Sequence, residues 1–151
     1  MSDEKPEDIK YRQFEIKDGV TTLIKMIENE LSEPYSIFLY RHFVNDYPEL
    51  TIVATYKEEM IGCIVGKIEG EDEDDKKGYI AMLVVLSAYR KKGIGRRLVL
   101  EFAEKCKQLG VYQVELETEC VNKGALRLYE GKKSKKGVFS ENRFLVFFAL
   151  F

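Results

Sequence analysis

Residues 79–118 constrain the fold more than any other part of the chain. Tyr79 to Leu86 is apolar almost throughout, which predicts a central strand buried on both faces. The basic, glycine-containing run Arg90-Lys91-Lys92-Gly93-Ile94-Gly95 follows. From there Ile94, Leu98, Phe102, Cys106 and Leu109 recur at helical spacing, and Gly110 supplies a C-terminal stop. Tyr112 to Thr118 then alternates, with Val114, Leu116 and Thr118 on one face and Gln113, Glu115 and Glu117 on the other. A buried strand joined through a turn to an amphipathic helix and a further strand calls for a mixed α/β domain.

The flanking segments fit that class. Residues 1–8 are polar and acidic and read as a disordered lead-in, so one domain is expected over residues 9–151. A short strand is expected around Tyr11 to Phe14. Leu23, Ile24, Ile27 and Leu31 predict a helix over residues 21–31, with Thr21 or Thr22 as N-cap. Pro34 breaks the pattern. A second helix is expected from Ser36 to Tyr47, ended by Pro48. Thr51 to Tyr56 and Met60 to Ile68 read as strands joined by a Lys57-Glu58-Glu59 hairpin turn. The acidic run at residues 69–78 lacks EF-hand spacing and reads as a solvated loop. Asn122 opens a short helix reaching Tyr129. The lysine-rich GKKSKKG stretch and an apolar tail from Phe144 complete the chain.

Composition removes several function classes. The chain has 151 residues, 45% hydrophobic and 33% charged, a globular balance. Its net charge of −2 argues against a broad nucleic-acid-binding surface. The longest apolar runs, Tyr79 to Leu86 and Phe144 to Phe151, are far short of the ~20 residues a spanning helix needs. The N-terminus has no signal-peptide or transit-peptide pattern, so a cytoplasmic protein is expected. Cys63, Cys106 and Cys120 are odd in number and far apart, which reads as reduced core thiols and not as a disulfide framework. With one histidine, His42, and no CxxC pair, no metal site is expected. No GxSxG elbow accompanies His42 for a serine triad.

The turn at residues 90–95 carries the chemistry. The first turn of a helix presents backbone N–H groups without partners and the positive end of the helix dipole. A pyrophosphate satisfies both. Gly93 and Gly95 lack Cβ atoms, so the backbone there can approach phosphate oxygens and adopt unusual φ values. Arg90, Lys91, Lys92, Arg96 and Arg97 add attraction for an anion. The pattern is neither a P-loop nor a GxGxxG dinucleotide fingerprint.

RKKGIG fits the R/Q-x-x-G-x-G/A acetyl-CoA signature of the GNAT acetyltransferases. GYIAMLVVLSAYRKKGIG and ELETECVNKGALRLYE resemble the protein Nα-acetyltransferase branch of that superfamily. With LSEPYSIFLYRHFVNDYPEL they are most similar to NatC-type catalytic subunits, over about Ile9 to Glu130. The resemblance implies the GNAT acyl-CoA N-acyltransferase fold, with acetyl-CoA as cosubstrate and no metal. Backbone groups of Leu83, Val84 and Val85 would hold its acetyl and pantetheine end. The backbone of Arg90, Lys91, Lys92, Gly93, Ile94, Gly95 and Arg96, continuing to Arg97, would hold its pyrophosphate. Asn122 and Ala125 would contact the CoA chain, and Tyr129 would stand near the departing sulfur.

The implied reaction is attack of a protein α-amine on the thioester. An α-amine has a pKa of about 7.7–8.0 against about 10.4 for lysine, so a modest base suffices. By resemblance Glu117 matches the family's general-base position and Tyr79 a paired catalytic tyrosine. Both lie on strands that splay apart in GNAT proteins. Strand alternation by itself leaves Glu115, Glu117 and Glu119 equivalent. Leu31 and Tyr35 would line pockets for the first two substrate side chains, with Tyr79 beside them and Glu33 near the substrate backbone or amine. The implied substrates are nascent N-termini with Met before a large apolar residue. The implied partners are auxiliary NatC subunits and the ribosome, with neither nucleic-acid specificity nor a membrane. Two other readings remain: a GNAT enzyme for lysine or polyamines, and a catalytically compromised acetyl-CoA-binding subunit.

The resemblance departs from the family after Glu130. The family continues with Leu-Gly-Phe, a strand, a loop with paired tyrosines and a last strand. This chain has GKKSKKGVFSENRFLVFFALF, with no tyrosine beyond Tyr129. Residues 132–151 are therefore atypical, and the last strands are left open.

Overall fold

Apolar residues at two different periods build helices onto both faces of one sheet. The computed structural model describes residues 8–30, 37–119, 134–140 and 143–149, with side chains over 8–29 and 38–115. The helices are α1 (Val20–Glu30), α2 (Ile37–Asp46) and α3 (Ile94–Gln108). The strands are β1 (Ile9–Gln13), β2 (Thr51–Tyr56), β3 (Glu59–Glu69), β4 (Lys77–Val85), β5 (Gln113–Glu119), β6 (Ser134–Ser140) and β7 (Arg143–Ala149). They form a seven-stranded sheet in the order β1-β2-β3-β4-β5-β7-β6. Every neighbouring pair is antiparallel except β4 and β5, which run parallel with α3 as their crossover.

Each face has its own core. Ile52, Ala54, Ile64, Ile80 and Val114 pack with Ile94, Leu98, Phe102 and Cys106 of α3. Val53, Cys63, Val65, Met82 and Val84 pack with Leu23 and Ile27 of α1 and Tyr40 and Phe43 of α2. The α3 layer lies close because β3 carries glycine beneath it. A Cβ on Gly66 would overlap the Tyr79 carbonyl oxygen and lie 2.5 Å from the Phe102 ring.

Local signals account for the ends of the elements. Lys57 and Glu58 have φ of 50° and 68° between the paired residues Tyr56 and Glu59. That is a two-residue hairpin loop of the primed type, whose twist matches the strands. Gly110 closes α3 in a Schellman motif, with Val111 N–H donating to the Cys106 carbonyl at 2.9 Å and Gly110 N–H to that of Lys107 at 3.0 Å. The expected N-cap of α1 is displaced. Leu23 N–H donates to the Gly19 carbonyl at 3.2 Å, so Gly19 holds the capping position and Thr21 and Thr22 lie inside the helix.

β4 departs from the continuously buried strand expected of it. Gly78, Ile80, Met82 and Val84 are buried, whereas Lys77, Tyr79, Ala81, Leu83 and Val85 are only half-buried. The strand also bulges. Ile80 pairs with Gly66 and Met82 with Val65, which leaves Ala81 without an opposite residue. One extra residue switches the faces of the strand. Ile80 packs toward α3, whereas Met82 and Val84 pack toward α1 and α2.

The tail supplies the closing strands that the sequence left open. β7 pairs with β5 along its length, from Gln113↔Ala149 to Glu119↔Arg143, and β6 pairs with β7. Most of the apolar tail is therefore a paired strand inside the sheet. The expected lead-in falls mainly on residues 1–7, outside the described residues, as does the expected helix from Asn122 to Tyr129. Among the described residues no helix is long and apolar enough to cross a membrane.

Candidate active site

The parallel ladder between β4 and β5 has only three rungs, Gly78↔Val114, Tyr79↔Glu115 and Ile80↔Leu116. Both strands continue beyond it, β4 to Val85 and β5 to Glu119, without pairing to each other. β5 keeps β7 as partner through Glu119, and β4 keeps β3 through Val85. The sheet therefore splits at the carboxyl ends of its two parallel strands. In α/β proteins that is where a crevice can take a ligand.

Backbone alternation decides which groups face the split. Leu86 N–H donates to the Ile61 carbonyl at 2.9 Å, which fixes the phase of the β3–β4 ladder. In an antiparallel ladder every second residue turns its N–H and C=O to the partner. Val84, opposite Cys63, turns to β3, while Leu83 and Val85 turn toward the split. The Val85 carbonyl accepts from Arg90 Nε at 3.1 Å. Of the three residues expected to contribute backbone groups, Leu83 and Val85 are thus the ones oriented to do so.

The turn into α3 opens at the same end. Gly93 is the N-cap residue, with φ 79° and ψ 9° in the left-handed region, and Lys91 has φ 63°. The first helical bond runs from Arg97 N–H to the Gly93 carbonyl at 3.0 Å, so the N–H groups of Ile94, Gly95 and Arg96 precede the helical ladder. The N-cap residue, a glycine, has no side chain to cap them. A Cβ on Gly93 would meet nothing within 4 Å, so the backbone conformation, not crowding by the protein, favours glycine there.

The basic residues of this turn are not equivalent. Arg90 reaches back to Val85. Lys92 Nζ lies 5.7 Å from the centroid of the Tyr89 ring, and Lys91 and Arg96 are exposed. Arg97 is turned elsewhere, forming an ion pair with Glu101 at 2.8 Å and stacking 5.7 Å from the Tyr11 ring of β1. Arg97, expected to add attraction for the anion, is thus engaged on the neighbouring face of the helix. Its position one step further round the helix commits it to the α3–β1 contact.

Tyr79 sits at the closed end of the split. Its register neighbours are Lys67 on β3 and Glu115 on β5. Lys67 Nζ lies 5.8 Å from the Tyr79 ring centroid and pairs with Glu69 at 3.0 Å. Glu115 is only 7% exposed and forms an ion pair with Lys77 at 2.5 Å. The hydrogen bond to Glu115, with the charges of Glu115, Glu69 and Asp75, raises the Lys77 ammonium above its ordinary pKa. Glu117 follows two residues after Glu115, past the last rung and opposite Leu145 of β7. Sequence reasoning missed the Lys77–Glu115 pair and the bulge at Ala81. Neither has a local signature, because both depend on which residues face each other across strands.

Other groups are removed from the chemistry. Burial pushes the Cys63 and Cys106 thiols up to about 12, so neither is a nucleophile at neutral pH. An open groove beside β1 is lined by Lys10, Arg12, Asp18 and Tyr56. Arg12 binds Asp18 there through two hydrogen bonds of 2.7 Å. Among the described residues no three His, Cys, Asp or Glu side chains are grouped to hold a metal ion. Leu31, Glu33, Tyr35, Asn122, Ala125 and Tyr129 lie outside the described residues.

Comparison with known proteins places this architecture. Residues 17–132 match the family described as "Acetyltransferase (GNAT) family". N-alpha-acetyltransferase 30 of Xenopus laevis is 41% identical over 84% of this chain and 46% of its own length. The chain thus spans about half the length of that curated relative. N-alpha-acetyltransferase 30 of Saccharomyces cerevisiae is 40% identical over 82% of this chain and 74% of its own. A chain of the NatC complex, solved bound to Gag peptide and CoA, superposes with a TM-score of 0.85 and 35% identity over 95% of this chain and 99% of that one. A split parallel strand pair, a glycine turn at its open end and matches spanning the α3 crossover agree with one assignment: the chain belongs to the acetyltransferase (GNAT) family and groups there with the N-alpha-acetyltransferase 30 proteins.

Proposed function

We propose that this chain transfers an acetyl group from acetyl-CoA to the α-amine of protein N-termini, with Met followed by a large apolar residue as the preferred start. The observation that carries the reading is the β4–β5 split with the N-terminus of α3 at its open end. The donor set fits the cosubstrate. The N–H groups of Ile94, Gly95 and Arg96, with Lys91 and Lys92 nearby, suit a pyrophosphate. The N–H groups of Leu83 and Val85 suit the amide and acyl oxygens of the pantetheine end, with Asn122 and Ala125 assigned to the same chain. Bound there, acetyl-CoA supplies the thioester.

The remaining roles belong to the chain's own residues. At pH 7 an α-amine is about a tenth neutral, whereas lysine is neutral to only a few parts in ten thousand. A carboxylate acting directly or through a water is then base enough, and Glu117 takes that role. Tyr79 orients the incoming amine. Tyr129 is the proton donor to the departing sulfur. Leu31 and Tyr35 form the side-chain pockets, and Glu33 holds the substrate backbone. Burying one large apolar side chain contributes about 1.5–3 kcal/mol, enough to rank N-termini.

Residues 9–151 act as one catalytic domain in this reading. The partners are nascent chains at the ribosome and auxiliary subunits of the kind that the NatC complex contains, in the cytoplasm. The full-length pairing of β7 with β5 supports an intact catalytic sheet over a binding-only subunit. The test is acetyl transfer from acetyl-CoA to peptides starting Met-Leu, Met-Ile and Met-Phe, against internal lysines and polyamines, with and without auxiliary subunits. Transfer to the apolar Met peptides is expected. Absence of transfer to all of them sinks the reading.

A further inference from the structure

Tyr79 stands in a row of charges that no catalytic role uses. Across the sheet the row runs Lys67 on β3, Tyr79 on β4 and Glu115 on β5, each directly opposite the next. Glu69 and Lys77 form the adjacent row. Two ion pairs tie the rows together, Lys67–Glu69 at 3.0 Å and Lys77–Glu115 at 2.5 Å. The second is the one that spans the parallel strands. Its carboxylate is nearly buried, with 10% of the side chain exposed, and its ammonium comes from the residue two before Tyr79 on the same strand. A buried carboxylate that loses its cation is strongly unfavourable, so the pair holds β5 against β4 at this level. Just beyond, the ladder ends and the strands part.

We infer that Lys77 and Glu115 are positioning residues: their ion pair fixes the closed end of the β4–β5 split and so holds the Tyr79 ring against the reacting amine. This rests on the proposed role of Tyr79, and it assigns a function to one of three acids that strand alternation leaves equivalent. Glu115 clamps the strands, and Glu117, past the last rung, is left for the chemistry. A pair of opposite charges exchanged between strands keeps the clamp, whereas removal of either charge opens it. Misplacing a reacting group by about 1 Å costs up to about a hundredfold in rate.

The experiment compares Lys77→Met, Glu115→Gln, Lys77→Arg and the exchanged double variant Lys77→Glu/Glu115→Lys in the full chain. Steady-state acetylation of a Met-Leu peptide is measured beside NMR of ring-labelled tyrosine, with Tyr79→Phe assigning the resonance. The two charge-removing variants are expected to lose about tenfold in kcat with the KM for acetyl-CoA unchanged, and to shift the Tyr79 resonance. Lys77→Arg and the exchanged variant are expected to recover both. An unmoved Tyr79 resonance overturns the proposal. So does a loss of thermal stability in which kcat and acetyl-CoA KM deteriorate together and charge exchange restores nothing. If the wild-type chain transfers no acetyl group, the functional reading has failed, and the resonance alone decides whether the pair positions Tyr79.

Discussion

Replacing Gly93 by alanine separates the two reasons a glycine can stand at the start of α3. Its φ of 79° lies in the left-handed region, where an L-residue costs roughly 1–2 kcal/mol. Alanine also restricts the unfolded chain, which offsets about 0.4–1 kcal/mol. No clash is added, because a Cβ would meet nothing within 4 Å. The net loss is then about 1 kcal/mol, or roughly 2–4 °C in Tm for a chain of this size. Gly93→Asn should lose less, since asparagine tolerates that conformation better. Ligand binding follows a different rule. Among the described residues nothing fills the space that a Cβ would enter, so a phosphate seated on the turn is the group that would contest it. Both variants should therefore weaken acetyl-CoA by about tenfold or more, equivalent to about 1.4 kcal/mol, although their Tm values differ. Differential scanning fluorimetry without ligand and calorimetric titration with acetyl-CoA measure the two effects. Full affinity in both variants beside the expected fall in Tm would refute the turn as a phosphate seat.

Three further outcomes follow from the same geometry. Glu117→Gln should lower kcat by about 10²–10⁴ while acetyl-CoA affinity, measured by titration, stays intact; unchanged turnover removes Glu117 from the mechanism. Gly66→Ala should destabilise the chain by about 1–3 kcal/mol in urea unfolding, because its Cβ overlaps the Tyr79 carbonyl oxygen and crowds Phe102; an unchanged midpoint would mean that α3 lies further from the sheet. Asp18 is held below the usual carboxylate range by its hydrogen bond from Arg12, helped by the Glu15 backbone and the charges of Arg12 and Lys17. Its contribution is complete above the unfolded value of about 3.9 and is lost as pH falls through the lower folded value. Asp18→Asn should therefore flatten the fall in stability between about pH 5 and pH 2, and identical slopes in both proteins would contradict the pairing.

The helices were legible because each buries a stripe at helical period: Leu23, Ile24 and Ile27 in α1, Phe43 and Val44 in α2, and Leu98, Phe102 and Cys106 in α3. Gly110 and the Lys57-Glu58-Glu59 turn were legible from local composition, although Glu59 belongs to β3. The bulge at Ala81 was not. Ala81 lies in an unbroken apolar run, and only its lack of a partner on β3 reveals the change of face. Nor was the division of labour among the basic residues of the turn. Arg96 and Arg97 are alike in sequence, but one step of helical rotation turns Arg97 onto Tyr11 and Glu101. The tail is the opposite case, because its family pattern is missing while its apolar content is sufficient to pair with β5.

The three acids of β5 show what register adds to pattern. Glu115, Glu117 and Glu119 recur every second residue, so no argument from periodicity can rank them. The length of the ladder can. Glu115 lies opposite Tyr79 inside the three rungs, where burial requires a cation and Lys77 provides one. Glu117 and Glu119 lie past the last rung, where β5 has β7 on one side and the split on the other. Of these, Glu117 is nearer to Tyr79 along the strand. A base must sit where the reacting amine arrives, and a clamp must sit where the strands still touch. The end of the β4–β5 ladder separates the two requirements within two residues. A ladder longer by one rung would take in Glu117 and one shorter by two would release Glu115, so the proposed clamp at Glu115 and the proposed base at Glu117 both depend on where the ladder ends.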